Sequence, residues 1–216
     1  MLNFPTGEKD LLEYELGQIF FDDCYRLASI NPKPATILDV GANVGLFSLV
    51  ARHHFPRAVI HCYEPNPELH GCLRGHVEPL QVEVFEEAVG SRMARADMGG
   101  SGQSLFKNVV VSADGTLPMT AFDTAVERIG GSVDLLKLDC EGAEWDIIEN
   151  ARSFDAVGAL AMEYHLAVRP GATLRDIEAL VESRGMKVNS ASQKLGEDWG
   201  LLFASRIESN PFASSR

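Results

Sequence analysis

The sequence predicts an α/β fold, a doubly wound Rossmann-like sheet that is mostly parallel and has helices on both faces. Three observations predict it. Short apolar runs recur along the 216-residue chain, each followed by a stretch with helical spacing. A Gly-x-x-x-Gly loop, Gly41-Ala42-Asn43-Val44-Gly45, follows the first run, where a strand would hand over to a helix. An acidic residue, Glu64, closes the second run.

The elements follow in order. Residues 8–30 place Leu11, Leu12, Leu16, Ile19, Phe20, Cys24 and Leu27 at helical spacing, so one or two amphipathic helices end before Asn31-Pro32-Lys33-Pro34. Residues 1–33 thus form a helical cap on a single domain spanning 1–216. Thr36 to Val40 is a buried strand, and Leu46 to Phe55 a helix stopped at Pro56. Ala58 to Glu64 is the second strand, Glu68 to Val77 a helix, and Val82 to Phe85 the third strand. Residues 91–119 break this rhythm with Gly99-Gly100-Ser101-Gly102 and Val109-Val110-Val111, and read as an inserted β-hairpin or flap. Thr120 is placed to cap a helix over Ala121 to Ile129. Val133 to Asp139 is the fourth strand, Ala143 to Ala151 a helix, and Val157 to Tyr164 the fifth strand. A helix over Thr173 to Arg184 ends at Gly185. Met186–Ala191 and Gly200–Arg206 close the chain as a hairpin.

Charge narrows the partners. A net charge of −12 with no Lys/Arg cluster argues against a nucleic-acid partner and against an anionic membrane surface. No apolar run approaches the roughly 20 residues that span a bilayer, and the N-terminus lacks the build of a signal peptide. Cys24, Cys62, Cys72 and Cys140 form no CxxC pair, so no structural zinc is expected. Reduced thiols in a cytoplasmic enzyme fit this pattern.

The glycine loop carries the chemistry. Glycine lets the backbone turn sharply and lets a ligand come close. Glu64, at the end of the neighbouring strand, can accept both hydroxyls of a ribose. The spacing lacks the Gly-x-Gly-x-x-Gly that seats a pyrophosphate, and Asp39 before the loop would repel one. A cationic sulfonium or ammonium ligand suits Asp39 better, which favours S-adenosylmethionine over NAD.

Asp39 to Ser48, Tyr63-Glu64-Pro65-Asn66-Pro67 and Leu136-Lys137-Leu138-Asp139-Cys140-Glu141-Gly142-Ala143-Glu144 together resemble the FkbM-type methyltransferases, across roughly residues 36–165. The third segment is the most specific, since many class I methyltransferases share the first two. The resemblance implies S-adenosylmethionine as donor, a seven-stranded sheet whose last strand is antiparallel, and O-methylation of natural products, sugars or glycans. It also implies that Asp39, Gly41, Ala42, Asn43 and Gly45 face the amino-acid part of the donor. Glu64 would then hold the ribose, with Pro65 and Asn66 beside the adenine and Glu87 and Ala88 at its other edge. Asn43 and Ser48 are the weaker members, and Ser48 could be only a helix-surface residue.

Methyl transfer from a sulfonium is an in-line displacement that mainly needs alignment, and an alcohol acceptor also needs a base. Candidates lie at the carboxyl ends of the fourth and fifth strands: Asp139, Glu141, Glu163 and His165. Alternation puts Glu163 and His165 on one side of their strand and Tyr164 on the other. His165 is the expected base, because an ordinary imidazole titrates near neutrality. Glu144 reads as an acid that begins a helix and suits its dipole. The same four groups could bind Mg²⁺ or Mn²⁺, but nothing in the pattern requires a metal and none is expected. His53 and His54 read as surface residues. The N-terminal helices and residues 91–119, with a glycine hinge and Ser104 and Phe106, are the natural recognition parts for a small-molecule or sugar acceptor. An N-methyltransferase and, less favoured, a nicotinamide oxidoreductase are the rival readings.

Overall fold

The computed structural model describes residues 5, 7–99, 108–206 and 211–212. In chain order the strands are β1 (Thr36–Val40), β2 (Val59–Tyr63), β3 (Glu83–Phe85), β4 (Ala88–Gly90), β5 (Ala94–Met98), β6 (Val109–Val111), β7 (Leu117–Ala121), β8 (Val133–Leu138), β9 (Val157–His165), β10 (Lys187–Gln193) and β11 (Trp199–Ser205). The helices are α1 (Lys9–Phe20), α2 (Leu46–His54), α3 (His70–Val77), α4 (Phe122–Arg128), α5 (Glu144–Asn150) and α6 (Leu174–Ser183). The second helical stretch expected before Asn31 is a single 3₁₀ turn, Leu27–Ser29.

Seven strands form the main sheet in the order β10-β11-β9-β8-β1-β2-β3. β3, β2, β1, β8 and β9 pair in parallel. The last strand of the chain, β11, runs antiparallel between β9 and β10. The mostly parallel sheet with an antiparallel last strand is therefore present, and the closing hairpin supplies its irregular edge.

Each face of the sheet buries its own apolar cluster. Leu38 and Val40 of β1 and Leu136 and Leu138 of β8 pack with α4, α5 and α6 through Phe122, Trp145, Ile148, Ile177 and Val181. Ile37 and Leu135, one step along each strand, pack with α1, α2 and α3 through Leu12, Ile19, Phe47, Val50 and Leu73. Side chains alternate along a strand, so Asp39 and Lys137 share the second face. They are also direct register partners.

Residues 91–119 hold more than a flap. β5 and β6 are the expected antiparallel hairpin, but they belong to a second sheet of four strands in the order β4-β7-β5-β6. β7 pairs in parallel with β4 and antiparallel with β5. Thr120 is accordingly not a helix cap: it is a buried residue of β7, and Ala121 occupies the N-cap position of α4. The ladder to β4 claims the backbone that a cap would have used. Gly100, Ser101, Gly102, Ser104 and Phe106 lie outside the described residues. Among the described residues, no helix is long and apolar enough to cross a membrane.

Candidate active site

The carboxyl ends of β1, β2 and β8 open onto a cavity of about 840 Å³, a size suited to a nucleoside-bearing ligand together with an acceptor. Its wall includes Gly41, Ala42, Asn43, Glu64, Pro65, Glu87 and Ala88, with Lys137, Asp139, Glu141 and Gly142. β4, β6 and β7 add Val89, Val109, Val111 and Met119, and α1 adds Glu15 and Ile19.

The loop after β1 turns through left-handed conformations at Gly41, Asn43 and Gly45, with φ of 81°, 54° and 85°. Gly41 is needed for close packing: a Cβ there would lie 1.6 Å from the Asp139 carbonyl oxygen. Gly45 answers to a different neighbour, since its Cβ would lie 2.6 Å from Val77 and 2.9 Å from Leu73 on α3. Gly45 is a packing glycine and is not among the residues lining the cavity. Gly41 and Ala42 donate to the Tyr63 carbonyl at 3.0 and 2.9 Å, which ties the loop to the end of β2.

Glu64 sits where the ribose-binding acid was expected. Its Oε2 accepts the Asn43 N–H at 2.8 Å and its Oε1 the Asn66 N–H at 2.8 Å. Burial raises its pKa to about 7 despite these two donors. Asn66 is nearly enclosed beneath Glu64 and does not line the cavity. Glu87 stands at the rim, where Arg128 donates to its two oxygens at 2.9 and 3.3 Å. Arg128 also lies 4.9 Å over the Phe85 ring, which stacks on Tyr63 at 4.6 Å. These contacts make the rim beside Ala88 stiff.

Asp39 is fully buried and is not part of the lining. Ser48 donates to its Oδ2 at 2.6 Å, so Ser48 is a buried partner of the loop rather than a helix-surface residue. Lys137 lies 3.5 Å from Asp39 Oδ1 and 3.3 Å from Asp139 Oδ2, and its ammonium also donates to the Gly41 carbonyl. Burial alone would favour a neutral amine, but Asp139 and Asp39 outweigh it and hold Lys137 charged, above the ordinary lysine range. Burial pushes Asp39 up, against the pull of Lys137 and Ser48.

The acids and the histidine at the ends of β8 and β9 converge. His165 Nε2 lies 3.5 Å from Glu141 and 3.7 Å from Glu163, and its Nδ1 lies 3.4 Å from Glu144. Glu144 is wholly enclosed and also accepts the Cys140 and Gly142 N–H groups, at 2.8 and 2.9 Å. Trp145 Nε1 donates to the His165 carbonyl at 2.9 Å and fixes that strand end. Burial opposes a charge on His165, yet Glu144, Glu141 and Asp139 together raise its pKa to about 9. This cluster of acids favours the charged imidazolium. Burial and the nearby Asp139 raise Glu141 to about 7, against the pull of His165, and raise Glu163 as well. Glu141 lines the cavity; Glu163 and His165 stand behind it. Donor atoms of Asp139, Glu141 and His165 lie within 4.8 Å of one another, a spacing open to a cation. His53 and His54 stay at the end of α2, away from the cavity.

Lys137 and Glu15 escaped the sequence reading as site residues, and Glu144 was given only a helix-dipole role. Lys137 carried a signal, because a charge inside the apolar run Val133 to Leu138 requires a buried partner.

Residues 39–187 match the model of the methyltransferase FkbM domain. The chain belongs to the FkbM methyltransferase family. Among curated proteins, it is 26% identical to methyltransferase sdnD of Sordaria araneosa, over 87% of this chain and 86% of that protein. It is 27% identical to the 2-O-methyltransferase NoeI of Sinorhizobium fredii, over 59% of this chain and 62% of that one. Among solved structures, the FkbM methyltransferase of Methylobacillus flagellatus matches with a TM-score of 0.56 at 12% identity, over 83% of this chain. This chain spans 47% of that larger protein, and the likeness concerns the fold. For this FkbM-family chain, the cavity at the carboxyl edge of the sheet is the place where its chemistry would lie.

Proposed function

We propose that this chain uses S-adenosylmethionine to methylate a hydroxyl of a small molecule, natural product or sugar. One observation carries the reading: a single cavity joins a glycine loop and its strand-end acid, Glu64, to the acids at the end of β8. The donor fits the residues present. Asn43 lines the cavity with a buried Oδ1 that has no hydrogen-bond partner among the described residues, and each Glu64 oxygen keeps a second lone pair for a ribose hydroxyl. Bound there, S-adenosylmethionine would supply an activated methyl group.

Proton removal falls to Glu141. It faces the cavity, and its pKa of about 7 suits a base working near neutrality. Glu141 would take the hydroxyl proton while the acceptor oxygen gains the methyl group and the sulfur keeps the bonding pair as a neutral thioether. The His165 imidazolium, held by Glu144, orients the Glu141 carboxylate and balances its charge. His165 is thereby a positioning residue in place of the base expected from the sequence. The name of NoeI, a 2-O-methyltransferase, supports oxygen as the acceptor atom.

Calorimetry tests the donor. S-adenosylhomocysteine should bind and NAD should not; tight NAD binding with no response to S-adenosylhomocysteine would sink the reading.

A further inference from the structure

The sequence gives Asp39 the task of attracting a cation, but the structure sets Asp39 behind the cavity wall. It is fully buried, absent from the cavity wall, and engaged by Ser48 and Lys137. Lys137 in turn directs its ammonium to Gly41, Asp39 and Asp139, which matches its three N–H donors. Among the acids that line the cavity, Asp139 shares Lys137, and Glu15 of α1 lies within electrostatic reach of both. Glu15 has no ion-pair partner among the described residues; its neighbours Asp139 and Asp39 are themselves acids, and the one nearby cation is already shared between them. The wall beside the glycine loop therefore lacks one positive charge.

We propose that Glu15 is an ammonium-binding residue, contributed by the N-terminal helix, that recognises the α-amino group of the methyl donor's amino-acid end. The assignment rests on the donor reading above and deepens it. Three features support it beyond the charge count. Glu15 lines the cavity together with Gly41 and Asp139, and the charges that act on it are those of Asp139, Lys137 and Asp39. Ile19, one turn further along α1, and Tyr25 line the cavity beside it, so the helix is seated there by apolar contact independently of Glu15. Burial, with Asp139 next, raises the pKa of Glu15 to about 7, the behaviour of a carboxylate awaiting a counter-charge. A donor ammonium supplies that charge, and the helical cap then closes over the amino-acid end of the donor.

The test compares S-adenosylhomocysteine with its deamino analogue, 4-(5′-deoxyadenosylthio)butyrate, which keeps the carboxylate and lacks the amine. Both are titrated calorimetrically, at pH 8, into the wild-type protein and Glu15→Gln. Glu15→Gln should weaken S-adenosylhomocysteine about tenfold or more, the size of a charge-assisted hydrogen bond, and leave the analogue within about twofold. Equal loss for both ligands would make Glu15 a wall residue, and no loss for either would remove it from recognition; either result overturns the assignment. Failure of the wild-type protein to bind either ligand defeats the donor reading itself, a result distinct from both.

Discussion

Glu144 Oε1 lies 3.4 Å from His165 Nδ1, while the other nitrogen of the same ring faces Glu141 at 3.5 Å. A fully enclosed carboxylate thus faces the imidazole and favours its charged form. Burial opposes ionisation of Glu144, but His165 and the backbone N–H donors prevail and hold its pKa below the usual carboxylate range. Glu144→Gln should preserve S-adenosylhomocysteine affinity within a few fold and lower turnover by about 10²-fold. Unchanged turnover would show that the ring needs no such partner.

Replacing the ring itself separates positioning from base catalysis. His165→Ala should reduce turnover less than Glu141→Gln does, and leave donor affinity nearly intact. If His165→Ala costs more than Glu141→Gln in the kcat/KM profile, the proton goes to His165 instead.

The same ring links stability to pH. The folded-state pKa of His165 is raised from 6.5 to about 9, so its contribution is fully present below 6.5 and is lost as pH rises through 9. The gap in Tm between the wild-type protein and His165→Gln should therefore be widest near pH 6 and narrow by pH 9.5. A gap that grows with pH would contradict the sign.

The Asp39–Lys137 pair predicts a non-additive mutant series. Lys137→Met leaves a buried carboxylate without its cation and should cost about 3–5 kcal/mol in denaturant titrations. Adding Asp39→Asn should recover part of that loss, and additivity of the two changes would refute the coupling.

The loop glycines should also differ from their neighbour. Gly41→Ala drives a Cβ into the Asp139 carbonyl and should prevent a stable fold. Asn43→Gly keeps the left-handed backbone and should change stability by less than about 1 kcal/mol, while weakening S-adenosylhomocysteine through loss of the free Oδ1.

The strands and the glycine loop were legible because their information is local: β1, β2, β8 and β9 are apolar runs of the length a buried parallel strand needs. The pairing of Glu163 with His165 followed from alternation alone. The second sheet was hidden because β4 and β7, of 3 and 5 residues, pair with each other across a long separation, so no single window carries their pattern. Glu144 was read as a dipole acid because its partner, His165, lies on another strand. Asp39 was given a ligand because only register shows that Lys137 already stands beside it.

The second sheet has a consequence for the shape of the cavity. Val109, Val111 and Met119 reach the cavity from strands that share no ladder with β1, β8 or β9. Exchange of these side chains would therefore reshape that part of the cavity while leaving the register of Asp39 with Lys137 untouched.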